Sequence, residues 1–164
     1  MQVLIRSRYF SKEKRALIAD LAGWCGKKLL GRLHNNVSVL IRITDPARYS
    51  RDKIYGTTEL SEDEEDPDRP RDFVITMTGR FEILRSLMIV AHEMVHVKQY
   101  ARKELGYCGR SGRSKWQGSL VNDDDISYWD LPWEIEAHGR EKGLVYQWAT
   151  ERGLYKEKWF KELF

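Results

Sequence analysis

The segment His92-Glu93-Met94-Val95-His96 constrains this chain more than any other feature of its sequence. Apolar residues with helical spacing surround it: Leu84, Leu87, Met88, Ala91 and Val95. We therefore predict a central helix over about 81–104 that ends at Gly106. Residues four apart on a helix lie one above the other, so both imidazoles can approach one ion while Glu93 projects in a neighbouring direction. The pattern predicts a metal site with two histidine ligands and a free carboxylate beside it.

A second helix supplies a carboxylate. Pro132 suits the first position of a helix, Asp130 is a candidate cap, and apolar spacing continues to about Arg152. Glu134 lies 38 residues after His96 (134 minus 96), which is enough chain for the two helices to pack antiparallel. Glu136 is the rival ligand. Because two residues span about 200° of helix rotation, only one of these glutamates can face the ion, and we favour Glu134.

Two histidines and one glutamate leave one position of a tetrahedral ion open, which is typical of catalytic zinc. We expect one zinc ion per chain, held by His92, His96 and Glu134, and hydrolysis of peptide bonds with Glu93 as the base that activates water. The alternative is a structural or interaction protein whose zinc is closed by His138 as a fourth ligand. The number of waters on the ion separates the two hypotheses.

The sequence HEMVHVKQY, followed by LPWEIEA, resembles small single-domain H-E-x-x-H metallopeptidases of phages and bacteria, relatives of the minimal gluzincins and of SprT-like domains. The resemblance implies a zincin-like α+β fold, in which a small, mostly antiparallel sheet packs on the active-site helix and the glutamate helix. It also implies that the strand at 72–78 holds an extended peptide substrate by edge pairing. In these families the glutamate helix often reads E-x-x-A-D. Glu134 and Ala137 match that pattern, whereas His138 replaces the acid that supports a ligand histidine.

Other polar and aromatic residues have both a functional and a structural explanation. The Tyr128 hydroxyl is a candidate for stabilising an oxyanion, although aromatic packing of Tyr128 and Trp129 is the favoured explanation. Gln99 is a candidate for contacts near the metal. The basic stretch 107–116 is better explained as a loop at the cleft rim than as a nucleic-acid site. We interpret His34 as structural or exposed.

The remaining pattern predicts the framework around these helices. Strands are expected at 2–5, 37–43 and 72–78, with a turn at Asp45-Pro46 and a helix that Ser11 caps. The acidic segment at about 61–72 is predicted to be a flexible loop. Residues 107–130 are expected to form a loop or short irregular strands, and the C-terminal ten residues a short helical or docking segment.

Length and composition limit the class of protein. With 164 residues, of which 41% are hydrophobic, we expect one folded domain over 1–164. The net charge of +3 is too small to favour a nucleic-acid or membrane partner. From the predicted site we expect a peptide or protein substrate, and we expect a monomer. No apolar run approaches a membrane span and no secretory signal is recognised. Cys25 and Cys108 lack C-x-x-C spacing, and we expect a cytoplasmic location.

Overall fold

The computed structural model describes residues 1–45, 47, 55–108 and 113–163. Within these residues the fold is α+β. The helices are α1 (Lys12–Leu30), α2 (Ile83–Ala101), α3 (Pro132–Glu151) and the short α4 (Lys158–Lys161). The strands are β1 (Gln2–Arg6), β2 (Ser38–Thr44), β3 (Gly56–Leu60), β4 (Asp72–Thr78), β5 (Leu105–Cys108), β6 (Arg113–Trp116) and β7 (Ser119–Val121).

The larger sheet is mixed, with the strand order β1-β2-β4-β3. β1, β2 and β4 are parallel, and only β3 is antiparallel to its neighbour, with Thr58 opposite Ile75. The expectation of a mostly antiparallel sheet was therefore wrong for this sheet. The reason is the connection between β1 and β2, which contains the 19-residue α1 and acts as a helical crossover, the link that parallel strands require. A second, small sheet, β5-β6-β7, is antiparallel throughout.

The sequence analysis missed β3 altogether. Its residues Gly-Thr-Thr-Glu-Leu include one apolar side chain, so the segment lacks the alternation that marks a half-buried strand. Its presence changes the role of 72–78, because β4 lies between β2 and β3 and has no free edge. The assignment of edge pairing to 72–78 was thus wrong, and β3 is the edge strand on this side of the sheet.

Helix α2 is the centre of the molecule and is buried along most of its length. It contacts α1, α3, β3 and β4. Apolar side chains from the sheet and from the other helices surround it, among them Ile41, Phe73, Ile75, Ile18, Leu21, Val145 and Trp148. The apolar side chains of α2 pack into this core, and its buried polar residues, His92, Glu93 and His96 among them, are carried within it. The two histidines of α2 are therefore carried on a support with little freedom to move.

Most local predictions agree with the structure. Ser11 caps α1 by accepting a hydrogen bond from the Lys14 amide, and Pro132 opens α3. Asp130 as a cap was wrong, because Leu131 is the N-cap residue and no side chain caps α3. Within the acidic segment, the Glu64 carboxylate accepts backbone N–H groups of Asp66, Arg71 and Asp72, and its flexibility stays a prediction.

Two further expectations concern residues that the structure describes only in part. Pro46 of the predicted turn and Arg110 of the basic stretch lie outside the described residues.

Within the described ranges, no helix combines the length and apolar character that crossing a bilayer requires.

Candidate metal centre

Three buried side chains from two helices meet at the middle of α2. The His92 and His96 Nε2 atoms are 3.1 Å apart. The Glu134 carboxylate of α3 approaches them with Oε2 3.3 Å from His92 Nε2 and Oε1 3.5 Å from His96 Nε2. A tetrahedral zinc ion with bonds of about 2.0–2.1 Å separates its ligand atoms by roughly 3.3–3.4 Å. The spacing of these three groups therefore fits one zinc ion.

The electrostatics of the three groups also suit a cation. Oε2 of Glu134 is buried and accepts no hydrogen bond of standard geometry among the described residues. Burial raises the pKa of Glu134, but the neighbouring His92 and His96 outweigh this effect and hold it well below its usual range. Burial lowers the pKa of His92, and hydrogen bonds to Glu134 and Glu141 overcome it and raise the pKa to about 9. The surroundings of the cluster thus favour positive charge at the imidazoles and negative charge on Glu134.

Both imidazoles are oriented through their second ring nitrogen. His92 Nδ1 lies 3.0 Å from Glu141 Oε2, and His96 Nδ1 lies 2.8 Å from Gln99 Oε1. Each Nδ1–H is assigned as the donor because its partner is an acceptor, which leaves Nε2 as the ring atom directed toward Glu134 and available to a metal ion once its proton is displaced. Gln99, named from the sequence, is held by donating to the Trp133 carbonyl at 2.9 Å.

Glu141 was missed by the sequence analysis. It lies seven residues after Glu134, so two helical turns bring it to the same face of α3, and that spacing is the signal that was available. It supplies the acid that His138 replaces in the E-x-x-A-D comparison. The His138 ring itself lies tilted against that of His92, with ring centroids 4.5 Å apart, and its Nδ1 lies 3.4 Å from Glu141.

Glu136 belongs to a different cluster. Its carboxylate binds Lys98 Nζ at 2.7 Å and also accepts from Gln99 Nε2 at 3.1 Å. Lys98 is buried and forms a second ion pair with Glu104. The structure therefore places Glu134, and not Glu136, beside the two imidazoles, as the argument from helix rotation expects.

Glu93 lies next to the histidines and packs against β3. The Thr58 hydroxyl donates to Glu93 Oε2 at 2.8 Å. A side chain at Gly56 would come within 2.7 Å of Oε1, so glycine is what lets this carboxylate approach the strand. Burial raises the pKa of Glu93, and His96, His92 and Thr58 oppose it without cancelling it. Thr58 and Gly56 were missed because β3 was missed.

A cleft of about 500 Å³ opens in front of these groups. β3 borders it on one side, and Tyr128, Trp129 and Trp133 border it on the other. The Tyr128 hydroxyl is 3.4 Å from His138 Nε2, and burial together with Glu134 raises its pKa. Trp129 is 68% exposed and lies against the His138 ring.

The other residues singled out from the sequence lie elsewhere. His34 is half-buried in the short helix after α1, and it is not one of the residues that line the cleft. Arg113 and Lys115 are exposed on β6. Comparison with protein-family models, curated proteins and solved structures finds no match for this chain. Any conclusion about function therefore depends on the site itself.

Proposed function

We propose that this protein is a zinc-dependent peptidase with a zincin-like fold. The observation that carries the proposal is the close approach of three ligand groups: the Nε2 atoms of His92 and His96 lie 3.1 Å apart, and the Glu134 carboxylate approaches the first with Oε2 at 3.3 Å and the second with Oε1 at 3.5 Å. The H-E-x-x-H sequence and its resemblance to gluzincins add to it. One zinc ion per chain, held by these three residues, would polarise a scissile carbonyl and lower the pKa of water.

Glu93 has the position and the protonation behaviour of a general base. It accepts a proton from the attacking water and returns it to the leaving amine. Burial raises the pKa of this carboxylate toward neutral pH, and a group with a pKa near the working pH can both accept and return a proton. Thr58 fixes one carboxylate oxygen, which limits rotation of the base.

The edge strand β3 offers a place for an extended substrate. Among the described strands it pairs with β4 alone, so its other side has backbone groups available for a peptide that adds as a further strand. Thr58 links this strand to Glu93, so a peptide on β3 would lie beside the base. Tyr128, across the cleft, is the candidate donor to the developing oxyanion.

The test combines metal analysis with cleavage of an unfolded protein. Wild-type protein is expected to bind about one equivalent of zinc and to cleave this substrate. Glu93→Gln should keep the zinc and lose cleavage by about 100-fold or more, because an amide cannot accept the proton. Glu65→Gln, which alters an exposed glutamate of the acidic segment outside the cleft, is the matched control and should retain both properties. Zinc-loaded wild-type protein that cleaves no unfolded substrate would contradict the proposal.

One observation favours the closed site as a second candidate. His138, His92 and Glu134 each offer a ligand atom, and these atoms lie within 4.8 Å of one another. A zinc ion that also bound His138 would have no open position. His138→Ala separates the candidates by zinc titration against a chelator. A closed site predicts a large loss of zinc affinity, whereas the peptidase site predicts affinity close to that of the wild type.

A further inference from the structure

The cleft has opposite charges at its two ends. Acidic groups of the metal end are Glu93, Glu134 and Glu141. Among the described residues that line the cleft, Arg85 is the sole lysine or arginine. It lies seven residues before His92 on α2, which places it on the same face of the helix and about 10 Å away along the axis.

The Arg85 side chain is held in place by aromatic rings. Its guanidinium carbon lies 4.8 Å from the Tyr55 ring centroid and 5.9 Å from that of Phe81. These two rings contact each other, with centroids 5.3 Å apart. A guanidinium stacked on aromatic faces keeps its N–H groups at the rim of its plane, where they can bind both oxygens of a carboxylate. Arg85 is thus positioned before any ligand arrives.

Among the described residues, the contacts of Arg85 are aromatic and none is to an opposite charge. Arg85 is the third residue of α2, and a basic side chain is unfavourable near the positive end of a helix. No ion pair joins it to an acidic side chain among the described residues. Glu82, the nearest acid in the sequence, acts on Lys14. Arg85 is exposed to solvent and has no acidic side chain against it within the described residues, so its guanidinium is open to a ligand that carries negative charge.

The position of β3 gives the distance, in peptide residues, between Glu93 and Arg85 along a bound substrate. Thr58 binds Glu93, and Tyr55, three residues earlier, lies under Arg85. Three residues of extended chain cover about 10 Å, the same distance as the two helical turns between His92 and Arg85. A peptide paired with β3 therefore reaches Arg85 two or three residues away from the bond beside Glu93.

We propose that Arg85 forms a carboxylate-binding subsite, so that this protein prefers peptides with a carboxylate two or three residues from the scissile bond. This inference rests on the proposed peptidase function. The carboxylate belongs either to an Asp or Glu side chain or to the C-terminus of a short peptide, and both present the same two oxygens to the guanidinium.

The test uses a series of peptides in zinc-loaded full-length protein. One Glu is moved from three residues before the cleaved bond to three residues after it, with Gln at the same place as the reference. We expect kcat/KM to rise at least tenfold for Glu over Gln at two or three residues on one side of the bond. A second arm compares peptides that end at this place with a free or an amidated C-terminus, which distinguishes side-chain from terminal carboxylates.

Variants assign the preference to Arg85. Arg85→Gln should remove it, and Arg85→Glu should transfer it to peptides with Lys in place of Glu. Arg42→Gln, an exposed arginine on β2 outside the cleft, is the control and should behave as the wild type. Fluorescence anisotropy measures the affinity of labelled Glu and Gln peptides for the Glu93→Gln protein, so that the preference is tested by binding without turnover.

The outcomes separate the two proposals. Cleavage of all peptides at equal rates, or a preference that survives in Arg85→Gln, would overturn the subsite and leave the peptidase intact. No cleavage by the wild type together with no Arg85-dependent binding would overturn both. Arg85-dependent binding of the Glu peptide without any cleavage would retain the subsite and contradict the peptidase.

Discussion

At the scale of single residues, Glu134 and Glu136 of α3 belong to two different clusters although they are only two residues apart. Glu134 faces His92 and His96, whereas Glu136 pairs with Lys98. Sequence spacing alone was enough to place the histidines, because their relation is local to one helix. It could not show which partners lie around them, since Glu141 and Thr58 reach the site from other elements.

Glu134→Gln is expected to weaken zinc binding by more than about 100-fold, because it replaces a charged ligand, and even residues that only support a ligand contribute about 10–100-fold. Glu136→Gln should change zinc affinity little, since its carboxylate is occupied by Lys98. Competition with a chromophoric chelator measures both. Equal losses in the two variants would mean general damage to α3 and would contradict the assignment.

Glu141→Gln tests the support of His92. The amide can still accept from Nδ1–H but removes the negative charge that makes the imidazole a better ligand, so zinc affinity should fall by about 10–100-fold. Thermal unfolding of the metal-free protein is measured beside it, to separate support of the ligand from support of the fold. Unchanged zinc affinity would show that Glu141 has no part in the site.

At the scale of elements, the packing of α3 against α2 includes an ion cluster around the buried Lys98. Its ammonium joins Glu104, just beyond the end of α2, to Glu136 on α3. This ion cluster joins the two helices at the rotation of α3 that brings Glu134 to the histidines. Helix boundaries and the three strands of the parallel set followed from local patterns. Their order in the sheet did not, because it depends on the crossover through α1 and on β3, whose sequence has no strand periodicity.

Lys98→Met should destabilise the protein by about 1–3 kcal/mol, because two largely buried carboxylates lose their charged partner. Urea unfolding measures the free energy change. Lys115→Met, which alters an exposed lysine on β6, is the control and should stay within about 0.5 kcal/mol of the wild type. A Lys98 variant as stable as this control would show that packing alone sets the relation of the two helices.

At the scale of the whole molecule, α1 is fastened to α3, far along the chain. Arg152, just beyond the end of α3, donates to both oxygens of Asp20, at 2.7 and 3.0 Å. The indole of Trp148 donates to the same carboxylate at 2.8 Å. Trp24 of α1 donates in turn to Glu151 at 2.7 Å. These contacts close the helical layer around α2, and nothing in the local sequence pattern indicates them.

The contacts of Asp20 make the free energy of unfolding depend on pH. The hydrogen bond from Arg152 lowers the pKa of Asp20, and Trp148 adds to that effect against the opposing effect of burial. Because the folded-state pKa lies below the unfolded value of about 3.9, the stabilisation is complete above pH 4 and is lost as the pH falls through the folded value. The side chain is 43% exposed, so about 0–1 kcal/mol is at stake.

The measurement compares wild-type protein with Asp20→Asn by urea unfolding between pH 7 and pH 3. The wild type should be the more stable at pH 7, and the difference should shrink as the pH falls below 4. A difference that stays constant with pH would contradict the assignment of this dependence to Asp20.

Gly56 has two roles at one backbone position: it belongs to the edge strand β3, and its lack of a side chain leaves room for Glu93. The strand that borders the cleft touches the buried carboxylate where a single methyl group would collide with it. Thr57 and Glu59 of the same strand already carry side chains, so a substitution there adds no Cβ beside the carboxylate. Position 56 is different, because any side chain there would displace Glu93. Under the proposed peptidase function, the strand can therefore change at other positions with its substrate while the proton acceptor keeps its place.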